Sequence, residues 1–173
     1  KLEGGQLVSQ TLWEKNFGGR FSRMRDIEVG DIDGNGTNVI AVATHDQGVV
    51  AVVRPKDGGY EVEELDVEKD AFVHEVELGD VDGDGDIDSL IGISGAANEL
   101  LLGVGDGTFT AASSFPGGSA QTHSVALGDV DGDRERDVLG GSVDHAGGRL
   151  LGCWCWCWVF YFLGGGHGYG VVC

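Results

Sequence analysis

Apolar and polar residues alternate in short runs along most of this chain. Between 72 and 78, Phe72, His74, Val76 and Leu78 fall on one face, and the run ends in an acidic loop. Apolar runs follow at 89–93 and 99–104, then a G-D-G turn at 105–107 and a last run from Thr108 to about Ser113. A period of two bounded by Gly and Asp clusters is the mark of short strands. The same order appears earlier, at 24–29, 38–44, 48–53 and 60–66, with a D-G-G turn at 57–59. No window sustains a helical period.

The pattern repeats. Three segments align without gaps: I-E-V-G-D-I-D-G-N-G at 27–36, V-E-L-G-D-V-D-G-D-G at 76–85 and V-A-L-G-D-V-D-G-D-R at 125–134. Their first loop aspartates, Asp31, Asp80 and Asp129, are spaced by 49 residues. The register extends beyond the loops: Asp57, Gly58 and Tyr60 match Asp106, Gly107 and Phe109. Four strands in a unit of 40 to 50 residues are the signature of a propeller blade. The expected fold is all-β, a partial β-propeller of about three four-stranded blades. Residues 1–21 read as the outer strand of a preceding blade (6–13) and a connection. Blade one takes 22–70, blade two 71–119 and an incomplete blade three 120–152. An atypical hydrophobic Cys/Trp tail fills 153–173.

The phrase G-D-x-D-G-D-G-x-x-D before an apolar strand, with G-D-G-T-F at 105–109, resembles the FG-GAP/VCBS repeat of integrin-α-like β-propellers. The resemblance spans roughly residues 22–152. It implies a ring of about seven blades, of which three acidic loops are here, so further blades or a second copy would complete the ring. It also implies calcium loops and an extracellular or cell-surface setting.

Charge narrows the partners. With 29 acidic and 11 basic residues the net charge is −18, and no basic face is visible for nucleic acid. Such a chain suits cations. Its longest apolar run, 153–163, is too short to cross a bilayer as a helix. Residue 1 is Lys and no signal segment opens the chain, so it reads as processed or as a fragment. All four Cys lie at 153 or beyond, which excludes a disulfide framework for the rest. From 153 onward there is no charged residue but three of the four Trp. The C-W-C-W-C run has no zinc-knuckle spacing, and a non-native terminus accounts for it better than a sticky outer strand.

The acidic loops carry the candidate chemistry. Asp80, Asp82, Asp84 and Asp88 stand at positions 1, 3, 5 and 9 of loop two, with the carbonyl of Asp86 at position 7. Loop three offers Asp129, Asp131, Asp133 and Asp137 with the carbonyl of Glu135, but Arg134 replaces a loop glycine. Loop one has Asp31, Asp33, Asn35 and the carbonyl of Thr37, with Val39 at the ninth position. Hard oxygen ligands at this spacing suit Ca²⁺, which accepts six to eight of them in flexible geometry. Without a cation, two carboxylates about 4–5 Å apart repel by roughly 3–4 kcal/mol at an effective dielectric near 20. The expected affinity order is loop two, loop three, loop one. An EF-hand is excluded, because position 12 is Val42, Ile91 or Gly140 and the flanks are strand-like.

A second constellation lies six residues before each loop: Arg25, His74 and His123. These suit an anionic ligand or, for the two His, a metal; polar strand-start residues touching the next blade are the simpler reading and the favoured one. His45 has no repeated context. No catalytic motif is present. The sequence therefore reads as a calcium-binding propeller module presenting its loops to a protein or glycan partner. The alternative is the propeller part of a carbohydrate-active enzyme, of polysaccharide lyase or sugar dehydratase type, with its site at the channel mouth.

Overall fold

The computed structural model describes residues 2–16, 23–45, 48–67, 72–111, 122–129, 134, 136–142, 158–161 and 169–172. Every regular element among them is a strand. The first pair, β1 (Leu2–Glu3) and β2 (Gln6–Leu7), forms a small hairpin. Of the outer strand expected over 6–13, only Gln6–Leu7 is extended, and it pairs with β1 alone. Lys15 then forms an ion pair with Glu64 of the first blade.

Blade one is a four-stranded antiparallel meander of β3 (Met24–Gly30), β4 (Val39–Thr44), β5 (Val49–Lys56) and β6 (Gly59–Val67). Blade two repeats it with β7 (Phe72–Gly79), β8 (Asp88–Ser94), β9 (Glu99–Gly103) and β10 (Phe109–Ala111). The third unit holds the pair β11 (Thr122–Gly128) and β12 (Asp137–Ser142). In the tail, β13 (Trp158–Tyr161) pairs with β14 (Tyr169–Val172). The repeat thus folds as blades of a partial β-propeller. The D-G-G turn closes β5 onto β6 as a two-residue hairpin with Asp57 at φ 49° and Gly58 at φ 78°. Positive φ at both central positions is what a turn matching the strand twist requires.

The core lies between blades, so each sheet is held chiefly by its neighbour. Ala41, Ala43 and Val50 of blade one pack with Val73, Val76, Ile91 and Ile93 of blade two. Leu90 packs in turn with Val125 and Val138 of the third unit. Fully burying each Val, Leu or Ile contributes about 1.5–3 kcal/mol. Blade one leaves one face uncovered: Ile27 is 52% exposed, whereas its equivalent in blade two, Val76, is 0% exposed. Val29 is exposed likewise.

One expectation needs correcting. Simple alternation puts Phe72, His74, Val76 and Leu78 on one face, yet Val73 and Val76 share one buried cluster. The cause is a β-bulge between Val73 and Glu75 that resets the alternation. The same shift occurs between Met24 and Asp26 and between Thr122 and Ser124. The residues it passes over are Arg25, His74 and His123.

Candidate functional site

The innermost strands β3, β7 and β11 carry a bulge residue at one end and an acidic loop at the other. Six residue steps of extended chain separate the two, about 20 Å. The blades therefore have an acidic rim and a bulge rim.

On the acidic rim, loop two gathers three carboxylates. Asp80, Asp82 and Asp88 each place one oxygen within 4.8 Å of the others. Asp80 shapes the loop, its Oδ1 accepting from the Gly83 N–H at 2.8 Å and its Oδ2 from the Gly85 N–H at 3.1 Å. Both glycines hold positive φ, which an L side chain adopts only with strain. Asp88 opens β8 and is fully buried. Its Oδ2 accepts from the Val81 N–H at 2.6 Å and its Oδ1 from the Gly103 N–H at 2.8 Å, tying the loop to β9. Burial pushes the Asp88 carboxyl above its ordinary value, and these two backbone bonds oppose the rise.

The other two predicted participants stand apart. Asp84 Oδ1 accepts from the Asp86 N–H at 2.8 Å, the same local turn by which Asp82 Oδ1 accepts from the Asp84 N–H at 3.2 Å. The described three-carboxylate cluster does not include it. The Asp86 carboxylate lies against the G-D-G turn, where a Cβ on Gly105 would come 2.6 Å from Oδ1.

Loop one has the same backbone frame but a different centre. Asp31 accepts from the N–H groups of Asn35 and Gly36 at 3.1 and 2.7 Å, and Asn35 Oδ1 accepts from the Thr37 N–H at 2.8 Å. Asp33 is engaged by Arg54, whose Nε lies 3.1 Å from Oδ1. Arg54 also donates to the Gly107 carbonyl at 2.9 Å, bridging loop one to the outer turn of blade two. Buried Val39 takes the place of a ninth-position carboxylate. In loop three, Asp129 Oδ2 accepts from the Arg134 N–H at 3.0 Å, and Asp137 is buried. Arg134 holds φ 74° where loops one and two have Gly36 at 83° and Gly85 at 96°. Asp131, Asp133 and Glu135 lie outside the described residues.

The bulge rim gathers a different set. Arg25 Nη2 lies 2.8 Å from His74 Nδ1, and the His74 and His123 rings are 4.3 Å apart. His45, which has no repeat counterpart, stands 5.0 Å from His74 and bonds to Arg23 at 3.1 Å. Burial first, then the charge of Arg25, lowers the His74 pKa to about 4. Sequence reading thus missed Arg23, Arg54 and His45, none of which recurs at the 49-residue period.

Among the described residues no helix is long and apolar enough to cross a membrane. No curated protein and no solved structure matches the chain. The family model of the FG-GAP-like repeat matches residues 80–140, from the first aspartate of loop two into β12. Over that stretch the chain is similar to the FG-GAP-like repeat.

Proposed function

We propose that the chain is a calcium-binding β-propeller repeat module that works outside the cell, presenting its blade loops to a protein or glycan partner. The observation that carries the calcium reading is the convergence of Asp80, Asp82 and Asp88 within 4.8 Å. Three carboxylates so close repel one another, and a hard divalent cation relieves that repulsion. Asp88 is already bonded to β9 through Gly103, so an ion held by Asp80, Asp82 and Asp88 ties the exposed loop to the blade. Loop one fits the ion least, because Arg54 neutralises Asp33. Loop three keeps Asp129 and Asp137 and ranks between them.

The uncovered face of blade one supports a further blade of the same repeat as its neighbour, since Val76 and Val125 at equivalent positions are buried. Calorimetric titration tests the ion. Wild type binds Ca²⁺ with a Kd of roughly 10⁻⁵ to 10⁻³ M, the range of extracellular modules. Asp82 is exposed, so Asp82→Ala removes a ligand without emptying the core; it weakens binding at least tenfold. Greater loss on Asp33→Ala would reverse the ranking. Glycan-array binding that needs calcium, and no eliminative cleavage of acidic polysaccharides, is the pattern expected of a binding module.

A further inference from the structure

The three bulges do more than reset the alternation. A bulge re-aims the side chain of its extra residue, and here it does so at the same place in three successive blades. Arg25, His74 and His123 are brought side by side, and His45, just past the end of β4, joins them and in turn holds Arg23. Two guanidinium groups and three imidazoles thus meet in a protein whose net charge is −18 and which has only 11 Lys and Arg.

Hydrogen-bond chemistry fixes the character of this cluster. A guanidinium only donates. The contacts of Arg25 Nη2 to His74 Nδ1 and of Arg23 Nη2 to His45 Nδ1 therefore make both Nδ1 atoms acceptors. In the neutral rings the proton then sits on Nε2, so both imidazoles become N–H donors on the side away from their arginine. The neighbouring acids on the same strands are committed elsewhere: Asp26 Oδ2 accepts from the Val76 N–H at 3.0 Å and Glu75 Oε2 from the Val125 N–H at 2.9 Å. The group is rich in N–H donors and holds the two guanidinium charges of Arg23 and Arg25.

We propose that Arg25, His74 and His123, with Arg23 and His45 beside them, form an oxyanion-binding site on the bulge rim. It takes the carboxylate, sulfate or phosphate group of a small ligand, at the opposite end of the strands from the acidic loops. A guanidinium fork matches any of these groups in geometry and charge. Burial is the first cause of the depressed pKa of His74, and Arg25, His123, His45 and Arg23 add to it. A transition metal fits less well. Both Nδ1 atoms face arginine N–H groups, and among the described residues only Asp80, Asp82 and Asp88 bring three ligand atoms within 4.8 Å.

The test is NMR of the chain labelled with ¹⁵N in its histidine rings, titrated separately with sulfate, phosphate and galacturonate at constant ionic strength. The expected result is a saturable shift of the His74 ring nitrogens with at least one of the three. The arm that saturates at the lowest concentration identifies the anion source. Arg25→Ala weakens that binding at least tenfold and Arg25→Lys less so; exposed His123→Gln gives a second variant should Arg25→Ala misfold. Asp82→Ala leaves the affinity within twofold, which separates this site from the calcium reading. No saturable shift with any anion would overturn the proposal, as would unchanged affinity in both Arg25→Ala and His123→Gln. So would ring signals that respond to zinc chloride alone.

Discussion

The Glu75 carboxylate accepts a hydrogen bond from the Val125 backbone N–H at 2.9 Å, one blade further along the chain. The bond from the Val76 N–H to Asp26, at 3.0 Å, is the same contact displaced by one 49-residue repeat. The innermost strands of blades one and two thus use the acid after the bulge to hold the next innermost strand, whereas β11 has Ser124 at that position. Removing one acid leaves a partly buried N–H without its acceptor, which costs about 1–3 kcal/mol. Asp26→Ala should lower stability by that amount in urea unfolding, and Asp26→Asn, which keeps an acceptor, should restore most of it. Equal losses in the two variants would show that the charge, not the bond, matters.

The open face of blade one makes a contrast between equivalent positions. Val76 is buried against blade one, whereas Ile27 is exposed. Val76→Asp, an unpaired charge in a core, should cost more than about 4 kcal/mol, while Ile27→Asp should stay within about 0.5 kcal/mol. A large loss for Ile27→Asp, growing with protein concentration, would mean that a second copy already covers this face.

Loop three carries a strained residue. Arg134 holds φ 74° where its equivalents are glycines, and a non-glycine residue in that region is held there at an energetic cost. Arg134→Gly should stabilise the chain by about 1 kcal/mol, less the entropy that glycine adds to the unfolded state. Thermal unfolding measures it, and a lower Tm in the variant would contradict the account.

Glu77 sets a pH dependence. Burial first, then the charges of Glu28, Glu75 and Asp26, raises its carboxyl to about 7 from an ordinary 4.5. A carboxyl raised in the fold favours the folded state while protonated, so stability falls as pH rises from about 4.5 to 7. His74 acts oppositely: it stays neutral in the fold and disfavours folding as pH falls from 6.5 towards 4. Comparing wild type with Glu77→Gln isolates the first effect. The variant should match wild type near pH 5 and exceed it above pH 7 by on the order of 1 kcal/mol, after allowing for solvent screening of a half-exposed group. A constant difference across that range would assign the effect to packing.

The strands were legible because alternation and turn residues are local. The runs at 72–78 and 89–93 became β7 and β8 almost to the residue, and the equal spacing of Asp31, Asp80 and Asp129 carried the blade architecture. The bulges were not legible, since a bulge is a mismatch between two strands and neither strand records it alone. That is why Val73 was placed on the wrong face, although Arg25, His74 and His123 were singled out by their repeat position. In loop two the spacing put Asp80, Asp82, Asp84 and Asp88 on one loop, but which carboxylates converge depends on backbone angles that spacing does not record. Arg54 reaches Asp33 and His45 reaches His74 only through the folded strands, and neither has a partner at the 49-residue period to mark it.

The central claim is that calcium binds the loops unequally, with loop two first. Backbone amide NMR during calcium addition tests it most directly. The Gly83 and Gly85 N–H groups donate to Asp80, the Gly36 N–H to Asp31 and the Arg134 N–H to Asp129, so each reports on its own loop. The account predicts that the Gly83 and Gly85 signals shift and saturate first, Arg134 follows at higher calcium, and Gly36 moves last or not at all. Saturation of Gly36 before Gly85, or no movement of any of the four, would contradict it.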